Sequence, residues 1–172
     1  MHAGAGEGRV VVLMGVSGCG KTTIGRMLAD ALGWRFHDSD DDHPPANVAK
    51  MSRGEPLTDA DRIPWLRILA ASIRGWVLDG DRVVLACSAL KQRYRDLLAD
   101  GSPAVRFVYL KGSPDLIRRR MEARSDHFMP PGLLDTQFAA LEEPPDALTV
   151  TIDRPPAALV ADIRRQLDQA AQ

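Results

Sequence analysis

Residues Gly15–Thr22 read GVSGCGKT, with RVVVLM before them and TIGRMLADAL after them. No other stretch constrains the fold as strongly. The spacing G-x-x-x-x-G-K-[ST], entered from a strand and leaving into a helix, is that of a phosphate-binding loop. Glycines let the backbone curl until successive N–H groups point inward at phosphate oxygens. The helix that follows adds its positive N-terminal end. Gly15, Val16, Ser17, Gly18, Cys19, Gly20, Lys21, Thr22 and Thr23 are therefore the candidate nucleotide contacts. Lys21 is placed to reach the β- and γ-phosphates, and the Thr22 hydroxyl is a suitable Mg²⁺ ligand. Cys19 reads as a small filler.

Strands and helices alternate along the chain. Arg9–Met14 is a short Val-rich run, the pattern of a buried strand. A helical spacing follows at Ile24, Met27, Leu28, Ala31 and Leu32 and stops at Gly33. Further strands are expected at 34–38, Arg82–Ser88, Val105–Leu110 and Leu148–Ile152. Between the second and third lies a long excursion, about 41–80. Within it Thr58 and Asp61 form a capping pair. Pro64 would break an interior hydrogen bond, so the expectation is a short turn to Ile63 and then a helix opened by Pro64, ending before Gly80. Ser113 and Pro114 open another helix, expected to run through PDLIRRRMEAR. Pro130, Pro131 and Gly132 interrupt it, LLDTQFAALE resumes it, and a last helix covers about 156–170. Alternation of this kind implies α/β architecture: a three-layer sandwich with a parallel sheet covered on both faces.

With 172 residues, one domain with a sizeable core is expected. A net charge of −1 gives no global field to attract nucleic acid or an anionic membrane, so neither is expected as a partner. The longest apolar run is far short of a membrane span. MHAGAGEG has no apolar core of a secretory signal and reads as a frayed tail. Two cysteines make neither a disulfide framework nor a zinc site, and a reduced, cytoplasmic enzyme is the simplest reading. A phosphate loop alone leaves open a small-molecule kinase, a nucleotide-hydrolysing switch and a non-catalytic nucleotide module. The length favours the first, because it leaves room for a small acceptor-binding excursion and a short lid but no large effector domain.

The excursion HPPANVAKMSRGEPLTDADRIPWL, followed by CSALKQRYRDLL, FVYLKG, RMEARSDHF and TQFAALEEP, resembles the gluconokinase family of small phosphate-loop kinases. The likeness covers nearly the whole chain after about residue 9. It implies ATP as phosphoryl donor, D-gluconate as substrate, phosphorylation at the 6-hydroxyl and a shikimate kinase-like fold with strand order 2-3-1-4-5. It also makes a homodimer the expected assembly. Ser39 and the pair Asp41–Asp42 depart from the family's usual residues, whereas Asp40, His43 and Pro44 match.

Phosphoryl transfer needs positioning and charge neutralisation more than covalent chemistry. The acceptor hydroxyl needs a carboxylate to orient it and take its proton. Asp40 follows the second strand, at the sheet end where the phosphate loop follows the first, and ligands collect there. Asp38 points the same way if the strand persists, and the shikimate kinase pattern makes it a Mg²⁺ holder through water. Asp41 and Asp42 read as solvated. His43 either orients this loop or hydrogen-bonds a polyol. The anionic end of gluconate calls for a cation, ideally an Arg fork. Arg62 matches by motif a carboxylate-binding arginine, with Lys50 and Arg53 in support. Lys91 is a further substrate or phosphate contact, and Ser88 is placed to cap the helix after it. Arg120 and Arg124, four apart on one expected helix face, correspond in related kinases to an adenine-stacking and a phosphate-touching arginine. The stretch about 120–135, including His127, Phe128 and the Pro130–Gly132 segment, reads as a lid that excludes water. Asp153 and Pro155 belong to an adenine-side loop, and Trp65 is placed to wall the acceptor pocket.

Overall fold

The five strands lie side by side in the order β2-β3-β1-β4-β5, and every neighbouring pair is parallel. This is the order the family resemblance implies. The computed structural model describes residues 8–124 and 131–171. The strands are β1 (Arg9–Met14), β2 (Arg35–Asp38), β3 (Arg82–Ala86), β4 (Val105–Lys111) and β5 (Leu148–Thr151). The helices are α1 (Lys21–Leu32), α2 (Pro45–Ser52), α3 (Asp59–Asp79), α4 (Gln92–Ala99), α5 (Pro114–Glu122), α6 (Pro131–Ala140) and α7 (Pro156–Ala170), and a 3₁₀ turn spans Ser39–Asp42.

Strand β1 is central, pairing with β3 on one side and β4 on the other. Its side chains alternate between two separate cores. Val11 and Leu13 pack with Ile24, Leu28, Leu159 and Ile163 from α1 and α7. Val10, Val12 and Met14 pack with Trp65, Leu66, Leu69, Tyr94 and Leu98 from α3 and α4. Burial on both faces explains why the run is apolar without alternation. Each fully buried Val or Leu there is worth about 1.5–3 kcal/mol. Because all strands are parallel, the segments that follow β1 to β5 emerge at one end of the sheet.

The excursion differs from the sequence expectation in three ways. First, α3 is one helix of 21 residues with Pro64 inside it. The Thr58–Asp61 capping box starts it, with both reciprocal hydrogen bonds present. Ala60, whose carbonyl Pro64 leaves without a helical partner, is exposed, as is Pro64 itself. Water can take the lost bond there, so the proline does not end the helix. Second, α2 was not anticipated: Pro45 occupies its first turn, where a missing N–H costs nothing. Third, Asp42 is not solvated: its carboxylate pairs with His37 Nε2 at 2.5 Å and keeps 21% of its side-chain exposure.

Two expectations fail near the other helices. Ser88 caps nothing, since Lys91 is the N-cap of α4; instead the Ser88 carbonyl accepts from Gly15 N–H at 3.2 Å. Helix α5 ends at Glu122, so Arg124 lies beyond it. Its N–H bonds to the Met121 carbonyl, a tightened last turn that breaks the helical spacing between Arg120 and Arg124. The expected capping of α5 by Ser113 is present: its hydroxyl accepts from Leu116 N–H at 3.1 Å. Of the expected lid, Ser125–Pro130, with His127 and Phe128, lies outside the described residues, as does the expected tail at 1–7. Among the described residues no helix is long and apolar enough to cross a membrane.

Candidate active site

At the carboxyl end of the sheet, the loop after β1 and the 3₁₀ turn after β2 face each other across a cleft of about 340 Å³. Its walls include Ser17, Gly18, Gly20–Thr23, Asp38–Asp40, Ala86, Ser88, Met121 and Arg124. A larger groove of about 700 Å³ runs between α4, β4 and α7 but contains none of the phosphate-loop residues. The smaller cleft holds the phosphate-loop residues.

The loop's shape depends on its glycines. Gly18 has φ +82°, and a Cβ there would stand 2.8 Å from Met121 Cγ. Gly15 has φ +146°, and a Cβ there would stand 2.8 Å from Cys19 Sγ and 2.9 Å from the Leu110 carbonyl. Any larger residue would be strained and would clash. Cys19 is fully buried in the α1/α7 core, consistent with a filler. Lys21, the first residue of α1, folds over the loop and donates to the carbonyls of Gly15 at 2.9 Å and Val16 at 3.1 Å.

The two metal candidates stand together: the Thr22 hydroxyl donates to Asp38 Oδ2 at 3.3 Å. The other Asp38 oxygen accepts from Asp40 N–H at 3.0 Å and so caps the 3₁₀ turn. Capping and metal proximity are thus shared by one carboxylate. These are hard oxygen donors, the kind Mg²⁺ takes alongside phosphate oxygens and water. Among the described residues no group of three or more His, Cys, Asp or Glu is arranged to hold a metal without a ligand's help.

Asp40 lies in the cleft wall with its side chain 81% exposed. Partial loss of water within the cleft, and then the neighbouring Asp38 charge, push its carboxyl above the usual value, against the pull of Lys21. Beside it, His43 is almost covered, with 4% side-chain exposure. Its ring stacks on Trp65 at 4.2 Å and 16°. Trp65 in turn donates its indole N–H to the Ser39 carbonyl at 2.8 Å, tying α3 to the turn. Burial, and also the Arg62 charge, lower the His43 pKa despite the opposing pull of Asp40.

The basic candidates separate. Arg62 donates to the Leu57 carbonyl at 2.8 Å and lies 5.9 Å over the Tyr94 ring. Lys91 also approaches Tyr94, at 5.8 Å, but is paired with Asp59 at 3.1 Å. Asp59 gathers Arg93 and the Tyr94 hydroxyl as well. Lys50 is held by Asp61 at 2.7 Å, and Arg53 turns to Glu55 on the exposed end of α2. None of these four basic residues, nor His43, is among the residues lining the cleft. Arg62 is therefore the member of the set without a carboxylate partner among the described residues. On the nucleotide side, Arg124 lines the cleft, while Arg120 donates to the Ile152 carbonyl at the start of the Asp153–Pro155 loop. Asp153 and Pro155 are exposed.

One functional contact escaped the sequence reading. Gln137 of α6 grips the phosphate loop twice: its Oε1 accepts from Ser17 N–H at 2.7 Å and its Nε2 donates to Ser17 Oγ at 2.8 Å. The only signal was its place inside TQFAALEEP, a stretch already singled out for another reason. Asn47, buried in α2, was missed in the same way.

Comparison with known proteins finds relatives that match most of the chain. The family model described as "Shikimate kinase" matches residues 17–139. A gluconokinase of Gluconobacter oxydans is 49% identical over 138 residues, covering 80% of this chain and 78% of that one. The structure of a sugar kinase from Janibacter sp. superposes with a TM-score of 0.86 at 45% identity, covering 93% of this chain and 94% of the other. A gluconokinase structure from Sinorhizobium meliloti gives 0.81 at 39% identity, covering 95% and 98%. With a shikimate kinase-like fold, a phosphate loop facing a carboxylate, and relatives matched over most of its length, the chain belongs to the gluconokinase family.

Proposed function

We propose that this enzyme transfers the γ-phosphoryl group of ATP to the 6-hydroxyl of D-gluconate, giving 6-phospho-D-gluconate and ADP. The observation that carries the reading is the placement of Asp40 across one cleft from Lys21, Thr22 and Arg124. Phosphate-binding groups and a carboxylate line one cleft, which suits transfer to a bound hydroxyl.

The loop from Gly15 to Thr23 holds the triphosphate. Lys21 exchanges its carbonyl partners for phosphate oxygens and, with Arg124, offsets the charge that builds on the transferring group. Thr22 and Asp38 would hold Mg²⁺, which would supply positive charge against the phosphate oxygens. Asp40 orients the acceptor hydroxyl and takes its proton as the new P–O bond forms and the bond to the ADP oxygen breaks. Arg62 holds the gluconate carboxylate, and the excursion 41–80 supplies the acceptor side. Lys91, Lys50 and Arg53 support that side by holding Asp59, Asp61 and Glu55 in place. Arg120 and the Asp153–Pro155 loop frame the adenine. The assembly favoured by the family resemblance is a homodimer, which sedimentation measures directly.

The decisive experiment follows ADP release over a panel of sugar acids, with shikimate included because of the matching family model. Gluconate is expected to give the highest turnover. Turnover with gluconate no faster than with water alone would overturn the proposal and favour a nucleotide-hydrolysing switch.

A further inference from the structure

We infer that Asn47 is a positioning residue that fixes the tautomer of His43, so that His43 presents a neutral Nε2–H to the acceptor hydroxyl beside Asp40. The inference deepens the proposed function and rests on its assignment of Asp40 as the base.

The geometry runs through a buried amide. Asn47 is 4% exposed, and its Nδ2 donates to the Asp61 carbonyl at 3.0 Å. A backbone carbonyl only accepts, so this bond decides which end of the amide is nitrogen. The same Nδ2 has a second hydrogen, and the nitrogen lies 3.3 Å from His43 Nδ1. Two N–H groups cannot face each other at that distance, so His43 Nδ1 carries no hydrogen and accepts. A neutral ring must then carry its proton on Nε2.

His43 Nε2 is 3.8 Å from Asp40 Oδ1, too far for a direct hydrogen bond. The gap suits one oxygen lodged at about 2.8 Å from each. A substrate hydroxyl placed there accepts from His43 Nε2–H and donates its own hydrogen to Asp40. Its remaining lone pair is free for the γ-phosphorus. Every valence of the hydroxyl is then assigned, and its rotation is fixed before transfer. His43 cannot compete as the base, because Nδ1 is occupied by Asn47 and Nε2 already holds a proton. The charged groups facing the ring are Asp40 and Asp42 from the 3₁₀ turn and Arg62 from α3. Burial and Arg62 also disfavour the imidazolium, as does the Asn47 hydrogen, since the imidazolium needs a proton at Nδ1 as well.

The test has two arms. Long-range ¹H–¹⁵N correlation on ¹⁵N-histidine-labelled protein at neutral pH, without substrates, reads the tautomer directly. A protonated Nε2 with a bare Nδ1 at His43 is expected; the opposite tautomer or an imidazolium would overturn the inference. This arm does not depend on which acceptor the enzyme uses. The second arm compares variants. His43→Phe keeps the stack on Trp65 but removes the donor, and kcat/KM for gluconate is expected to fall by about tenfold or more, as for one lost hydrogen bond, with KM for ATP unchanged. His43→Gln, which returns an N–H near the Nε2 position, is expected to recover part of that loss. Asn47→Leu is expected to lower kcat/KM for gluconate while the histidine spectrum changes to mixed tautomers. Equal losses in the Gln and Phe variants, or an unchanged spectrum in Asn47→Leu, would refute it.

Discussion

Four aspartates within five positions have four different environments, and only their contacts separate them. Asp38 caps a turn and meets Thr22, Asp42 pairs with His37, Asp41 is exposed, and Asp40 faces the phosphate loop. Asp40→Asn keeps the shape and the cleft wall but removes the proton acceptor. It is expected to fold and bind ATP normally while turnover falls by ~10²–10⁴-fold, the usual scale of a general base. Nucleotide titration and steady-state rates on the same preparation check both halves. Lys21→Ala removes the cation aimed at the β- and γ-phosphates, and turnover is expected to drop by at least ~10². Gln137→Leu leaves Ser17 N–H and Oγ without their partner in α6. Because the loop geometry then loosens, KM for ATP is expected to rise by about tenfold, with KM for gluconate little changed. An unchanged KM for ATP would show that the Ser17 clasp is not felt by the nucleotide. Asp40 was legible in the sequence because its place after a strand is set by topology. Gln137 was not, because a contact across 120 positions leaves no local trace.

Among the elements, the start of α3 bears the most. The Thr58–Asp61 capping box was readable from its spacing, and the structure contains it. What could not be read was that Pro64, six residues into the helix, would be tolerated. That depends on Ala60 and Pro64 facing solvent, a tertiary fact. Helix α2 was missed for the same kind of reason, since Pro44-Pro45 reads as a breaker until Pro45 is seen in a first turn. The cap is also an electrostatic device. Asp61 accepts from Lys50 and from Thr58, which lower its pKa from 3.8 to about 2. The folded form binds the proton more weakly than the unfolded one, so this contribution to stability is complete above about pH 3.8 and is lost as pH falls towards 2. Asp61→Asn is expected to flatten the acid limb of stability in that window, measured by urea unfolding at stepped pH. Thr58→Ala is expected to cost about 1 kcal/mol at neutral pH, the usual loss of an N-cap side chain.

On the scale of the whole molecule, the phosphate loop and the alternating strands marked out the α/β class, whereas the order 2-3-1-4-5 came only with the family likeness. Strand order is a set of non-local pairings, and burial on both faces gives the inner strands β1, β3 and β4 similar apolar runs that do not say which neighbours which. The two cores on either side of that sheet each contain one cysteine, Cys19 with α1 and α7, Cys87 with α3 and α4. They make a natural pair of reporters for whether the faces open together. Both are essentially inaccessible, at 0% and 1% exposure, and burial pushes the Cys87 thiol up to about 11. Labelling of the native protein at neutral pH must therefore pass through an opening reaction. Cys87 lies just past β3, inside the packed face beneath α3, and is expected to react only through global unfolding. Cys19 sits in the phosphate loop, which the Gly15–Ser88, Ser17–Gln137 and Lys21 hydrogen bonds hold; breaking that local set does not require the sheet to unfold, so Cys19 is expected to react faster. Mass spectrometry of labelled peptides over a series of sub-denaturing urea concentrations checks this. The Cys87 rate should rise steeply with urea and the Cys19 rate only weakly, until the two converge near the unfolding midpoint. Saturating ATP should slow both, Cys19 by holding the loop closed and Cys87 through ligand linkage to global stability. Equal rates and equal urea slopes throughout would mean that the loop opens only when the entire sheet does.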